Sequence, residues 1–165
     1  MKCPTCEQDN IEGADECSHC GAALYGLRIN TPGGPDFIHR PLADMRKRAV
    51  HSVRVDDPVA MAVRTMQRED VNCVFVRDGE TIVGIITGWD ILQKVAGVNE
   101  DLVAVTCERI MTRNPYSLQE EDSIALALNA MASGGFRHLP VSAGGNPTGV
   151  ITASDLFRYI SPHLV

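Results

Sequence analysis

Aromatic side chains are scarce: one Trp, three Tyr and four Phe stand in 165 residues. A core with so few rings must be packed from Val, Ile, Leu, Ala and Met, and an apolar content of 44% is enough to pack one. Long apolar runs are missing too. None approaches the roughly 18 residues that a membrane-spanning helix needs. Residues 1–6 lack the apolar stretch of a signal peptide. A soluble, cytoplasmic protein is expected. Positive charge is also short, with 15 Lys and Arg against 21 Asp and Glu and a net charge of −6. An acidic chain makes a poor general nucleic-acid binder, because neutralising phosphates supplies most non-specific affinity. The sequence has no Walker-type glycine loop and no activated Ser, Cys or His constellation. A non-enzymatic protein is therefore expected.

Cysteines are few, but four of the six are grouped as Cys3-x-x-Cys6 and Cys17-x-x-Cys20. Two thiols three apart on a tight turn chelate an ion from one side, and a second such pair closes the tetrahedron. Disulfides are the alternative, disfavoured in a reducing compartment. With four thiols available, His19 is expected to be a bystander. The segment resembles short zinc ribbons, including Gly21 after the last ligand, and departs from them in having Glu7 after Cys6. So short a piece cannot bury a core of its own. Its folding is expected to depend on the ion, which contributes on the order of 10–16 kcal/mol in zinc-finger peptides. Zinc is the favoured ion. Sulfur-only tetrahedral ligation also fits iron, which keeps a rubredoxin-like electron carrier open as an alternative. Residues 1–24 hold Lys2 against Glu7, Asp9, Glu12, Asp15 and Glu16. Such an acidic surface suits contact with a protein better than contact with phosphates.

Residues 25–41 contain Thr31-Pro32-Gly33-Gly34-Pro35 and are expected to be a linker. Residues 40–48 are basic, with Arg40, Arg46, Lys47 and Arg48. They are expected to form either a solvated helix face, starting at Pro41 or Leu42, or a phosphate-contacting patch. The patch would make a nucleic-acid-binding regulator the alternative function.

The rest of the chain is a duplication. Gly84-Ile85-Ile86-Thr87-Gly88-Trp89-Asp90 returns 65 residues later as Gly149-Val150-Ile151-Thr152-Ala153-Ser154-Asp155. The same offset pairs Ser52 with Ser117, Asp57 with Asp122, Ala62 with Ala127, Met66 with Met131 and Gly79 with Gly144. A fixed period with preserved order means repeated structural units. Each copy reads as a short strand, a helix, a hairpin and a second helix. The first helix is expected to start with Asp57 at the N-cap and Pro58 behind it, its partner with Asp122 at the N-cap. Residues 59–66 and 124–131 carry apolar stripes.

Two in-register copies of Gly-apolar-apolar-Thr-x-x-Asp, the second preceded by Arg137-His138-Leu139-Pro140-Val141, closely resemble a tandem pair of CBS domains, or Bateman module. The resemblance covers residues 44–162. It implies an α/β fold of two β-α-β-β-α repeats related by pseudo-two-fold symmetry, to which the small zinc ribbon is added. The expected division is ribbon 1–24, linker 25–41, first repeat 42–105 and second repeat 106–165. CBS pairs usually form flat dimers through their helices, so a homodimer is expected, with the two apolar stripes as its faces.

The Thr-x-x-Asp stretches have a simple reading and a functional one. A Thr at the N-cap with an acid three residues on is close to a capping box, which satisfies free backbone N–H groups. In the resembled family the same pair holds the ribose of an adenosine compound. Carried over by position, the ribose pairs are Thr87 with Asp90 and Thr152 with Asp155. The second copy adds Arg137, His138 and Ser154 where the first has Asn72, Cys73 and Trp89. Arg is suited to two-pronged phosphate contact, so the second copy is the favoured site. Cys73 and Cys107 are expected to be small apolar fillers. The resemblance implies a regulatory module that senses AMP, ADP, ATP or S-adenosylmethionine and passes its state to a protein partner.

Overall fold

The computed structural model describes residues 2–3, 6, 8–11, 14, 16–21, 36–98 and 100–163. Residues 22–35, and with them most of the expected linker, lie outside the described residues. The chain divides into two compact units, Ala49–Tyr116 and Met1–Arg48 together with Ser117–Val165. No helix among the described residues is long and apolar enough to cross a membrane.

The unit Ala49–Tyr116 holds β1 (Ser52–Arg54), α1 (Val59–Glu69), β2 (Cys73–Asp78), β3 (Thr81–Thr87), α2 (Gly88–Lys94), α3 (Cys107–Ile110) and β4 (Thr112–Arg113). Its sheet runs β1-β2-β3-β4, with β1 parallel to β2 and the other pairs antiparallel. Val59, Ala62 and Met66 recur three and four apart, so one face of α1 is buried against Val74, Val76 and Ile86. The segment that leads into the second repeat in sequence thus completes the first repeat's sheet in space. Gly84 permits this. A Cβ there would lie 2.6 Å from Met111 Sδ and 2.9 Å from Thr112 O.

The second unit holds β5 (Leu118–Gln119), α4 (Ile124–Gly134), β6 (His138–Ala143), β7 (Asn146–Thr152) and α5 (Ala153–Ile160). Its sheet runs β5-β6-β7 with the same parallel-then-antiparallel pairing. The β6–β7 hairpin turns on Gly144 and Gly145, at φ 57° and 82°, a conformation glycine adopts without strain. The unit is completed by residues that precede the first repeat. The 3-10 turn Asp36–His39 lies by α5, where Tyr159 Oη donates to Phe37 O at 3.2 Å. After the turn Leu42–Asp44 the chain is extended, and Arg48 forms a two-way bridge with Val150 at 2.9 and 3.1 Å. Gly149 is the close-approach residue here. A Cβ on it would lie 2.6 Å from Lys47 Cβ and 2.8 Å from Arg48 O.

Three local expectations shift. The N-caps are Pro58 and Ser123, one residue later than read from sequence. Asp57 instead accepts the Arg54 N–H at 2.8 Å, and Asp122 the Gln119 N–H at 2.7 Å. Each carboxylate closes the turn between strand and helix, which competes with capping. Residues 40–48 form no α-helix, only the 3-10 turn Leu42–Asp44, which begins where the short helix was expected. Of the stripes on α1 and α4 expected as dimer faces, Val59, Met66, Ile124 and Met131 are buried, while Val63 and Leu128 are half-buried.

Candidate functional site

The four clustered cysteines come together. Cys3, Cys6, Cys17 and Cys20 place their sulfurs within 4.8 Å of one another. Cys3 Sγ lies 3.6 Å from Cys20 Sγ, and Cys6 Sγ 3.6 Å from Cys17 Sγ. Sulfurs in a disulfide stand about 2.05 Å apart. Four sulfurs at about 2.3 Å from a central ion in a tetrahedron stand about 3.8 Å apart. The set therefore fits a metal ion, and none of the six cysteines is joined in a disulfide. Backbone N–H groups face the sulfurs. Those of Cys20 and His19, with the Asn10 amide, hold the Cys17 thiol down to about 6. At Cys6 the Gln8 N–H favours the thiolate, but burial and the other three sulfurs push the thiol up to about 12. A divalent cation relieves that mutual repulsion. Asn10 was not singled out in the sequence. Its Nδ2 donates to Cys17 Sγ at 3.4 Å, and its Oδ1 accepts the Ser18 N–H at 3.0 Å.

In the second unit Thr152 is the N-cap of α5 and makes a full capping box with Asp155. Thr152 N–H and Oγ1–H donate to Asp155 Oδ2 at 3.0 and 2.6 Å, and Asp155 N–H donates to Thr152 Oγ1 at 3.2 Å. Arg48 grips the same carboxylate, Nε at 3.0 Å from Oδ2 and Nη2 at 3.1 Å from Oδ1. Arg158 Nη1 stands 3.8 Å from Oδ1. Burial disfavours the charged form of Asp155, but Arg48 and Thr152 outweigh it and hold the carboxyl below its usual range. His138 faces Thr152 across the β6–β7 ladder, and Ala153 N–H donates to Arg137 O at 3.0 Å. Arg137 and Ser154 are exposed and His138 is half-buried. Backbone pairing thus gathers Thr152, Ser154, Asp155, Arg137 and His138 at one end of the hairpin.

The first unit repeats the plan with different cations. Thr87 N–H and Oγ1–H donate to Asp90 Oδ2 at 2.9 and 2.6 Å, again as a capping box. Lys94 Nζ, one turn along α2, donates to Asp90 Oδ1 at 2.7 Å and to Ile110 O at 2.6 Å. Burial opposes the charge on Asp90, yet Lys94 and Thr87 keep its carboxyl below the usual range. Cys73 and Asn72 occupy the places of His138 and Arg137: Cys73 pairs with Thr87, and Gly88 N–H donates to Asn72 O at 3.0 Å. Trp89 is 65% exposed.

The simple reading of both Thr-x-x-Asp stretches is therefore realised, each as a capping box. None of the three cations on their carboxylates, Arg48 and Arg158 at Asp155 and Lys94 at Asp90, was read from the sequence. Lys94 was legible as an i,i+4 partner of Asp90. The basic segment 40–48 is bound up with acids of its own unit: Arg40 with Asp44, Lys47 with Glu120 and Arg48 with Asp155.

Comparison with known proteins agrees with this architecture. The sequence model of the CBS domain matches residues 42–97 and 107–162, more than half of the chain. The CBS domain-containing protein CBSCBSPB3 of Arabidopsis thaliana is 38% identical over 144 residues, 79% of this chain and 26% of that protein. A homoserine O-acetyltransferase of Methanocorpusculum labreanum is 29% identical over 140 residues, 84% of this chain and 28% of that protein. The chain thus spans about a quarter of the length of these curated relatives. Among solved structures, an uncharacterized conserved protein from Pyrococcus horikoshii superposes with a TM-score of 0.67 at 28% identity, over 73% of this chain and 92% of that one. The CBS pair is generally a regulatory, nucleotide-sensing module, and it occurs within longer proteins such as these. With both repeats matched and both β-α-β-β-α units built, this chain belongs to the CBS domain family.

Proposed function

We propose that the chain is a non-catalytic regulatory module that binds an adenine nucleotide at the end of the β6–β7 hairpin. Thr152 and Asp155 receive the ribose, with Ser154 at the mouth of the site and Arg137 and His138 beside the phosphates. Thr87 and Asp90 form a second, weaker site. The single observation behind this choice is that only the second unit pairs its Thr-x-x-Asp turn with a basic dipeptide, His138 standing opposite Thr152. The cysteine group holds a zinc ion and serves contact with a protein partner. Cysteines that form no disulfide suit a reducing, cytoplasmic setting. A homodimer would use the exposed Trp89 and Leu92 of α2 and Phe157 of α5 rather than the buried stripes. Nucleic acid suits the chain poorly as a partner, because Arg40, Lys47 and Arg48 already face carboxylates.

Calorimetric titration with AMP, ADP, ATP and S-adenosylmethionine tests this. At least one ligand should bind, and Asp155→Ala should weaken it tenfold or more, about 1.4 kcal/mol. Asp90→Ala should do less. The reverse order would move the site to the first unit, and no binding by any ligand would leave both stretches as capping boxes alone.

A further inference from the structure

The carboxylate offered to a ribose is already in use. Arg48 presents two N–H donors to the two oxygens of Asp155. A vicinal diol presents two O–H donors to the same pair of oxygens. The two groups are alternatives for one acceptor, and Asp155 has little room for both, its side chain being 10% exposed.

Arg48 is delivered to this place by its backbone. Its N–H and C=O both bond to Val150. The residues before it are tied to the same unit, Leu42 N–H to Asp122 O at 2.8 Å, Ala43 N–H to Glu120 O at 2.9 Å and Lys47 to Glu120 at 3.0 Å. The side chain is 40% exposed, so it has water to swing into while the backbone stays paired. At the equivalent carboxylate the competitor is weaker in form. Lys94 brings a single ammonium to Oδ1 of Asp90 and shares it with Ile110 O.

We propose that Arg48 is an internal occupant of Asp155, filling the carboxylate while no ligand is present, and that a diol-bearing ligand must displace it to bind. This rests on the nucleotide reading above. The apparent affinity is then the intrinsic affinity reduced by the fraction of molecules in which Arg48 has let go. Removing the guanidinium should tighten binding by about tenfold if that fraction is about one in ten.

The test compares wild type with Arg48→Met, which keeps the backbone bridge and the side-chain length but has no donor. Adenosine and AMP are titrated into each by calorimetry. The proposal expects both ligands to bind the variant about tenfold more tightly. Because the variant leaves Asp155 only the more distant Arg158 as a cation, at 3.8 Å, and so tests the fold as well as the site, the Arg48 Nε–H resonance of ¹⁵N-labelled wild type is followed too. On saturation with AMP it should move from a carboxylate-bonded to a solvent-exposed position. Unchanged adenosine affinity with an unmoved Nε–H would overturn the proposal and leave the nucleotide site standing. Weaker AMP binding with unchanged adenosine binding would also overturn it, showing that Arg48 holds a phosphate. No binding of either ligand to either protein would overturn the nucleotide reading and the proposal together.

Discussion

Replacing Gly149 by alanine probes how the chain before the first repeat completes the second. Gly149 does not occupy the left-handed region, so alanine is allowed by its backbone and only space is at issue. The new methyl would lie 2.6 Å from Lys47 Cβ and 2.8 Å from Arg48 O. Carbon contacts settle at about 3.5–4.0 Å, so the Lys47–Arg48 backbone must retreat by about 1 Å. The bridges between Arg48 and Val150, at 2.9 and 3.1 Å, would then pass out of hydrogen-bonding range. Two such bonds contribute about 0.5–1.5 kcal/mol each, and the stiffer unfolded chain returns about 0.4–1 kcal/mol. A net loss of about 1–2 kcal/mol is expected. Urea unfolding followed by circular dichroism would show it as a midpoint lower by about 0.5–1 M, for a slope of about 2 kcal/mol per molar. Gly88→Ala is the control. Its added methyl would meet only Asn72 O, at 4.0 Å, and the position begins a helix, so stability should hold or rise. A midpoint for Gly149→Ala equal to wild type, or an equal loss in Gly88→Ala, would refute the close-approach reasoning.

Cys17→Ser should lower bound metal in freshly purified, reduced protein from about one ion per chain towards none, read by elemental analysis, while the far-UV spectrum of the two β-α-β-β-α units persists. Asp90 and Asp155 have carboxyl pKa values held below the ordinary range, so their contribution to stability is complete above that range and is lost as pH falls through the folded values. The urea midpoint should therefore be flat from pH 7 to about 5 and fall below about pH 4, the ordinary Asp value. Asp155→Asn should flatten that acid limb, and an unchanged limb would show that the carboxylate adds nothing.

Much of the architecture was legible because it repeats. A 65-residue offset with no gap made every element of one copy a check on the other, and the capping boxes at Thr87 and Thr152 follow from local spacing. The helix starts were misplaced by one residue in both copies for one reason. Asp57 and Asp122 can cap a helix or close the turn before it, and sequence does not rank the two. Arg48 was visible only as part of a basic run, since its partner Asp155 lies 107 positions away and is reached through the Val150 bridge. The same distance hid the way residues 36–48 and 107–113 each complete the other repeat's unit. The apolar stripes on α1 and α4 were read correctly as apolar, but an amphipathic pattern does not say whether its face meets the chain's own sheet or another molecule.

The most direct test of the nucleotide site is to map it on the backbone. ¹H–¹⁵N spectra of the labelled chain, recorded without ligand and with saturating AMP, report each amide separately. The largest shifts are expected at Thr152, Asp155 and His138, with Gly88 and Asp90 moving less. Shifts centred on Gly88 and Asp90, or on the cysteine group, or no shift at millimolar AMP, would contradict it.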